Sequence, residues 1–150
     1  MKNINDLQIG KAGEYLVCAD LILKGFIAFP SEQGLSFDAV LSANNKLYKV
    51  QVKTTRQLQV APQRKCRIER YTFNVRRCGK DGRKSYQKND VDIFALVALD
   101  VRTIGYIKAS EVKQTMFFAP ENNYNVSYKY GRKTCVRKKL SEYKLSECLI

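Results

Sequence analysis

The chain has 150 residues, 45% of them hydrophobic, which suits one packed core and excludes a disordered tail. It contains no histidine, which excludes His-based catalysis and His-containing zinc sites, and its five cysteines are odd in number with no CxxC pair, which argues against a disulfide framework. The net charge of +13 is concentrated: residues 49–88 carry 13 basic and 2 acidic side chains, and residues 129–139 carry 6 basic and none acidic, so a polyanion is the expected partner.

The first predicted element is a helix over Ile9–Lys24. Ile9, Ala12, Leu16, Ala19 and Leu23 step by three and four, one apolar stripe at helical period. Asn5 or Asp6 can cap its start, and Gly25 is a suitable residue just past its end. Glu14 lies off that stripe, nearer Val17, Cys18 and Leu21. The residues alone leave two readings of Glu14 open: a half-buried carboxylate with a task, or an exposed one paired with Lys11 at i,i+3. Gly25–Pro30 reads as a short strand or extended connection, and Ser31–Ser36 as a loop pivoting on Gly34, with Glu32 a weaker rival carboxylate.

Phe37–Leu41 and Lys46–Lys53 then read as a β-hairpin. Asn tolerates the positive φ of a tight turn, so a two-residue turn at Asn44-Asn45 is expected. That turn sets the register: Asp38 falls opposite Gln51, and Lys49, Gln51 and Lys53 share one face while Tyr48, Val50 and Val52 share the other. A carboxylate, an amide and an ammonium are thereby gathered on one side of the ribbon. The oxygen donors suit Mg²⁺, and the ammonium suits a charged phosphate. An ordinary solvated strand face is the alternative reading of the same residues.

After Lys53 the chain turns basic and irregular. Tyr71–Arg77 alternates as a strand, Cys78–Lys84 as a turn with Asp81-Gly82, and Ser85–Lys88 as its return strand. Such a basic hairpin fits a DNA groove; contact with phosphates alone, or solubilising an edge strand, is the competing role. Val91–Leu99 is the most hydrophobic run, a central strand buried on both faces. Thr103–Ile107 is the next strand, and Lys108–Gln114 begins a short helix capped by Ser110. Glu121–Lys139 interleaves Tyr124, Tyr128 and Tyr130 with basic residues, a pattern suited equally to nucleic acid, an interface or a packed tail. Neither basic block has an apolar stripe, no apolar run approaches the roughly 18 residues of a membrane span, and the polar N-terminus does not read as a signal peptide. Nucleic acid is therefore expected over membrane, in a reduced, cytoplasmic setting.

The order helix-Glu14, hairpin-Asp38, strand-Gln51-Val52-Lys53 resembles the PD-(D/E)XK nuclease superfamily, over residues 9 to 55. Asp38 matches the first carboxylate of the motif, Lys53 its lysine, and Glu14, in GKAGEYLV, the glutamate of the first helix. Gln51 stands where the second acidic residue usually is, which removes one negative charge. That variant, with the length and charge pattern, is most similar to the group I intron-encoded homing endonucleases of cyanobacteria.

The resemblance implies an α/β restriction-endonuclease-like fold, a central mixed sheet flanked by helices. It implies one endonuclease domain over 1–150, with basic insertions at about 56–88 and a basic segment at about 121–139. Glu14, Asp38, Gln51 and Lys53 become the catalytic set; Glu14, Asp38, Gln51 and the Val52 carbonyl become the ligands of Mg²⁺, with Mn²⁺ as a substitute and Ca²⁺ binding without cleavage. Residues expected to contact double-stranded DNA are Arg56, Arg64, Lys65, Arg67, Arg76, Arg77, Lys80, Arg83, Lys84, Lys88, Arg132 and Lys133. Site-specific double-strand cleavage implies a homo-oligomer, at least a dimer and in the resembled group a tetramer. The alternatives are a Holliday-junction-resolvase-like nuclease and a non-catalytic DNA-binding protein on a degenerate nuclease fold.

Overall fold

A computed structural model of the chain describes residues 3–60, 69–79, 82–84, 86–87, 89–122, 127–130 and 133–150. Helix α1 (Asp6–Leu23) opens the structure. Its start is fixed by a reciprocal cap: the Gln8 backbone N–H donates to Asn5 Oδ1 (2.8 Å), and the Asn5 N–H donates to Gln8 Oε1 (3.0 Å). Its end is fixed by Gly25 at φ +89°, where the Gly25 and Phe26 N–H groups donate to the Ile22 and Leu21 carbonyls.

The helix begins three residues earlier than its apolar stripe suggests, and it buries a different face. Ile9, Gly13, Val17, Cys18 and Leu21 are inside, whereas Leu23 is 88% exposed. The reason is Gly13: a Cβ there would lie 1.8 Å from Thr54 Oγ1, so the helix can press on the sheet only along the face that carries the glycine.

The main sheet has the order β1 (Ile27–Pro30), β2 (Ala39–Ala43), β3 (Lys46–Thr55), β8 (Ile93–Ala98), β9 (Thr103–Lys108). The β3–β8 pair is parallel and the other three are antiparallel, so the sheet is mixed. β8 is buried on both faces, as its composition predicts. Ile93, Ala95 and Val97 meet α1 residues Val17 and Leu21, with Leu145 and Cys148 of the short helix α2 (Leu145–Cys148). Phe94, Leu96 and Ala98 face the opposite way. Tyr106 of β9 donates its hydroxyl to Asp20 Oδ2 (2.5 Å) and ties the sheet to α1; burial and that carboxylate push the phenol far above its ordinary pKa.

On the far face lies a second sheet of β4 (Gln59–Val60), β5 (Glu69–Asn74) and β10 (Thr115–Phe118), in the order β10-β5-β4. Tyr71, Phe73 and Phe118 point inward, and Phe118 meets Phe73 and Tyr143 edge-on at 5.7 and 5.3 Å. Here the expected hairpin is corrected. Residues 71–74 of the Tyr71–Arg77 run pair with 115–118, which brings Phe118 to their inward aromatic row, while Ser85 and Lys88 of the expected return strand lie outside the described residues. A separate short antiparallel pair is formed by β6 (Arg77–Gly79) and β7 (Gly82–Lys84), with Arg77 opposite Lys84 and Gly79 opposite Gly82. Lys108–Gln114 is also not a helix: Lys108 ends β9, and residues 109–114 turn and lead into β10. Strands β11 (Ser127–Tyr130) and β12 (Lys133–Val136) form a two-stranded ribbon. Cys18 and Cys148 are free, buried thiols. Among the described residues no helix is long and apolar enough to cross a membrane.

Candidate active site

The β2–β3 hairpin turns where the sequence places it. Asn44 and Asn45 have φ of 52° and 57°, both in the left-handed region of a two-residue turn. Ala39 pairs with Val50 and Ala43 with Lys46, so the register is the one the turn predicts. The Asp38 N–H donates to the Val50 carbonyl (2.9 Å) and carries the pairing one residue past β2. Asp38 therefore stands across from Gln51.

Asp38 Oδ2 accepts the Val52 backbone N–H (2.9 Å) and a hydrogen bond from Gln51 Nε2. Gln51 is buried at 8% exposure, and its Nε2 also donates to the Val52 carbonyl (3.4 Å). Behind Asp38 the loop is closed by Ser31, whose N–H donates to the Asp38 carbonyl (2.9 Å) and whose hydroxyl donates to the Phe37 carbonyl. Gly34 takes φ +93° at the tip of that loop, the pivot its position implies. Burial raises the Asp38 carboxyl above the ordinary range; the Val52 N–H lowers it, the Glu14 charge raises it again, and Lys53 and Lys11 pull it down.

Lys53 projects on the Gln51 side of β3. Its ammonium donates to the Arg76 carbonyl (3.0 Å) and lies 5.5 Å from the centre of the Tyr86 ring. Lys49 has the same parity but a different surrounding: its Nζ donates to the Asn89 carbonyl (2.9 Å), below the site. Glu14 unites the two readings left open by its sequence. It is paired with Lys11 (2.5 Å) and half-buried, and it lines one cleft of about 590 Å³ together with Asp38, Lys11, Ser31 and Glu32.

Two carboxylates, one amide and one peptide carbonyl are thus brought within one neighbourhood. Among the described residues no three His, Cys, Asp or Glu side chains form a metal cluster. The donors that remain are all oxygens once the Gln51 amide turns over, and a buried carboxyl raised by burial is relieved by a cation. Glu14, Asp38, Gln51 Oε1 and the Val52 carbonyl therefore fit a hard divalent ion.

The basic residues divide into three sets. Arg56 and Arg76 are half-buried at the end of β3 and just past β5. Arg77, Arg83, Lys84 and Lys133 lie on β6, β7 and β12. Arg64, Lys65, Arg67, Lys80, Lys88 and Arg132 lie outside the described residues. Two participants escaped sequence reasoning. Tyr86 sits under Lys53 across 33 residues of chain, with no local signal; Gly13 carries no hydrophobicity, so periodicity passes over it.

The PD-(D/E)XK endonuclease family profile matches residues 4–139. The chain belongs to the PD-(D/E)XK endonuclease family. It is a nuclease of that type, and its mixed sheet with helices is the α/β fold expected of one. No curated protein matches the chain. Among solved structures, a bacterial homing endonuclease, I-Ssp6803I, is similar in fold: TM-score 0.60, 17% identity, covering 87% of this chain and 84% of that one. The PD-(D/E)XK match spans α1, the β2–β3 hairpin and both sheets, so it includes every element that carries Glu14, Asp38, Gln51 and Lys53.

Proposed function

We propose that this PD-(D/E)XK protein is a Mg²⁺-dependent endonuclease that makes site-specific double-strand breaks in DNA as a homo-oligomer, in the manner of an intron-encoded homing endonuclease. The observation that carries the reading is the junction of Asp38 with the Gln51 amide and the Val52 N–H, with Lys53 next along the same face of β3. Likeness of fold to a homing endonuclease supports the finer assignment. The whole chain acts as one endonuclease domain, intracellular and DNA-associated, whose basic segments at about 56–88 and 121–139 hold the duplex.

Glu14, Asp38, Gln51 and the Val52 carbonyl would hold the ion, with Mn²⁺ as a substitute and Ca²⁺ as a non-productive ligand. When bound, a divalent cation supplies polarisation of the scissile phosphate and a lowered pKa for water. Lys53 stabilises the charge that grows on the phosphate; its amine is held in place by the Arg76 carbonyl and the Tyr86 face. Arg56, Arg76 and the β6–β7 hairpin neutralise flanking phosphates and fix the register of the duplex. One such site cuts one strand, so a double-strand break requires at least two copies.

The test is cleavage of a mixed DNA pool followed by sequencing of the ends, with Mg²⁺, with EDTA, and with Lys53→Ala. The expected result is ends that map to one long motif, appear only with Mg²⁺, and fall at least about a hundredfold in the variant. Salt-sensitive DNA binding with no new ends under any metal would overturn the catalytic assignment; preference for four-way junctions over duplex would overturn the site-specific one.

A further inference from the structure

In the free protein the charges around Asp38 are already balanced without a divalent ion. Glu14 and Asp38 supply two negative charges; Lys11 and Lys53 supply two positive ones. With Gln51 neutral, this inner set sums to zero, and the remaining acids that line the cleft, Asp6 and Glu32, are exposed at its rim. The two lysines are not equivalent. Lys53 is anchored inside, on the Arg76 carbonyl and the Tyr86 ring. Lys11 is at the mouth: its side chain is 47% exposed, and its ammonium is on Glu14 Oε2 at 2.5 Å, on a carboxylate that is itself only 19% exposed.

We propose that Lys11 is a resident counter-cation of the cleavage site: its ammonium holds Glu14 in place of a metal and passes to a DNA phosphate when substrate binds, so that metal loading is coupled to DNA binding. The inference rests on the metal-dependent reading above. The exchange is physically cheap, because a lysine–carboxylate pair whose ammonium faces solvent is weakened by screening and a phosphate oxygen replaces the carboxylate as acceptor on the same flexible stem. It moves one positive charge away from the two carboxylates at the moment a polyanion arrives. The Lys11 charge acts on Asp38 as well as on Glu14, so both acidic ligands gain from its departure.

The test is Ca²⁺ binding by isothermal titration calorimetry on the intact protein, with and without a mixed-sequence DNA duplex, for wild type, Lys11→Gln, Lys11→Arg and Asp38→Asn. Removing one charge beside a divalent ion changes its affinity by about tenfold in partly solvated surroundings. Without DNA, Lys11→Gln binds Ca²⁺ about tenfold more tightly than wild type, and Lys11→Arg binds like wild type. With DNA, wild type gains affinity and its difference from Lys11→Gln closes to less than about threefold. A Lys11→Gln protein that binds Ca²⁺ no more tightly than wild type without DNA would overturn the proposal, as would Lys11→Arg behaving like Lys11→Gln. If Asp38→Asn binds as well as wild type, the metal site itself is misplaced and both readings fall together; loss of binding in Asp38→Asn with no effect of Lys11→Gln removes only this one.

Discussion

Asp38 shows how the site trades stability for chemistry. Its carboxyl is raised above its unfolded value by burial, so between the two values the folded state holds the extra proton. Stability therefore falls as pH rises through that window, and above it the ionised Asp38 is a standing cost. Asp38→Asn keeps an oxygen to accept from the Val52 N–H and from Gln51, and it removes the charge. Thermal melts across pH without divalent metal should show the variant melting above wild type at pH 8, with the difference vanishing toward pH 4. Added Mg²⁺ should raise the wild-type Tm and leave the variant unmoved. Gln51 has the complementary role of a neutral donor that keeps Asp38 in place without adding a like charge beside it.

At the scale of elements, the decisive contact is α1 on β3. In an isolated helix Gly13→Ala would stabilise by about 1 kcal/mol. Here the added methyl meets Thr54 Oγ1 at 1.8 Å, and overpacking of this kind costs about 1–3 kcal/mol. The helix must lift, and Glu14, one residue on, lifts with it. Gly13→Ala should lower both Tm and cleavage rate, the rate by at least about tenfold if Glu14 is displaced by an ångström. Thr54 Oγ1 is buried with no hydrogen-bond partner among the described residues, so Thr54→Ala alone should cost little, and in the double variant it should restore part of the loss, since Thr54 Cβ still stands 3.0 Å from the new methyl. Melts and cleavage assays on the four proteins close that cycle. The same contact explains what the sequence does and does not disclose. The hairpin was legible because an Asn-Asn turn and period-two alternation fix register locally. The buried face of α1 was not, because a glycine that permits close approach carries no apolar signal. Nor was the partner of β5, because Thr72 meets Phe117 across 45 residues of chain that local patterning does not span.

Across the whole molecule, charge and scaffold are kept apart. Residues 1–48 carry 4 basic and 5 acidic side chains, so the helix and hairpin that bear Glu14 and Asp38 are close to neutral. The excess begins along β3 and fills the segment that leads to β8. Parallel neighbours need a crossover, commonly a helix. Here the described residues of the crossover are in strands instead: β5 covers the core, and β6–β7 carries basic residues. The connection that the topology demands is thus also the segment expected to grip DNA. Arg56→Ala with Arg76→Ala should weaken DNA binding across all sequences and reduce the slope of log K against log salt by about 0.9 per lost phosphate contact. Binding titrations at several salt concentrations measure it.

The Asn44-Asn45 turn also sets an order of assembly. Asp38 and Gln51 are 13 residues apart, joined by a hairpin of a kind that forms in about 1–10 μs. The Lys53 anchor on Arg76 closes a span of 23 residues, and the β3–β8 pairing closes over the whole basic crossover. Chain-closure entropy grows with each of these spans, so the carboxylate–amide pair is nucleated locally and early, while the lysine and the helix glutamate are recruited by tertiary packing. The proposed catalytic quartet is a short-range pair awaiting two long-range partners, and mutations that slow folding should strand the protein with the first pair made and the others absent.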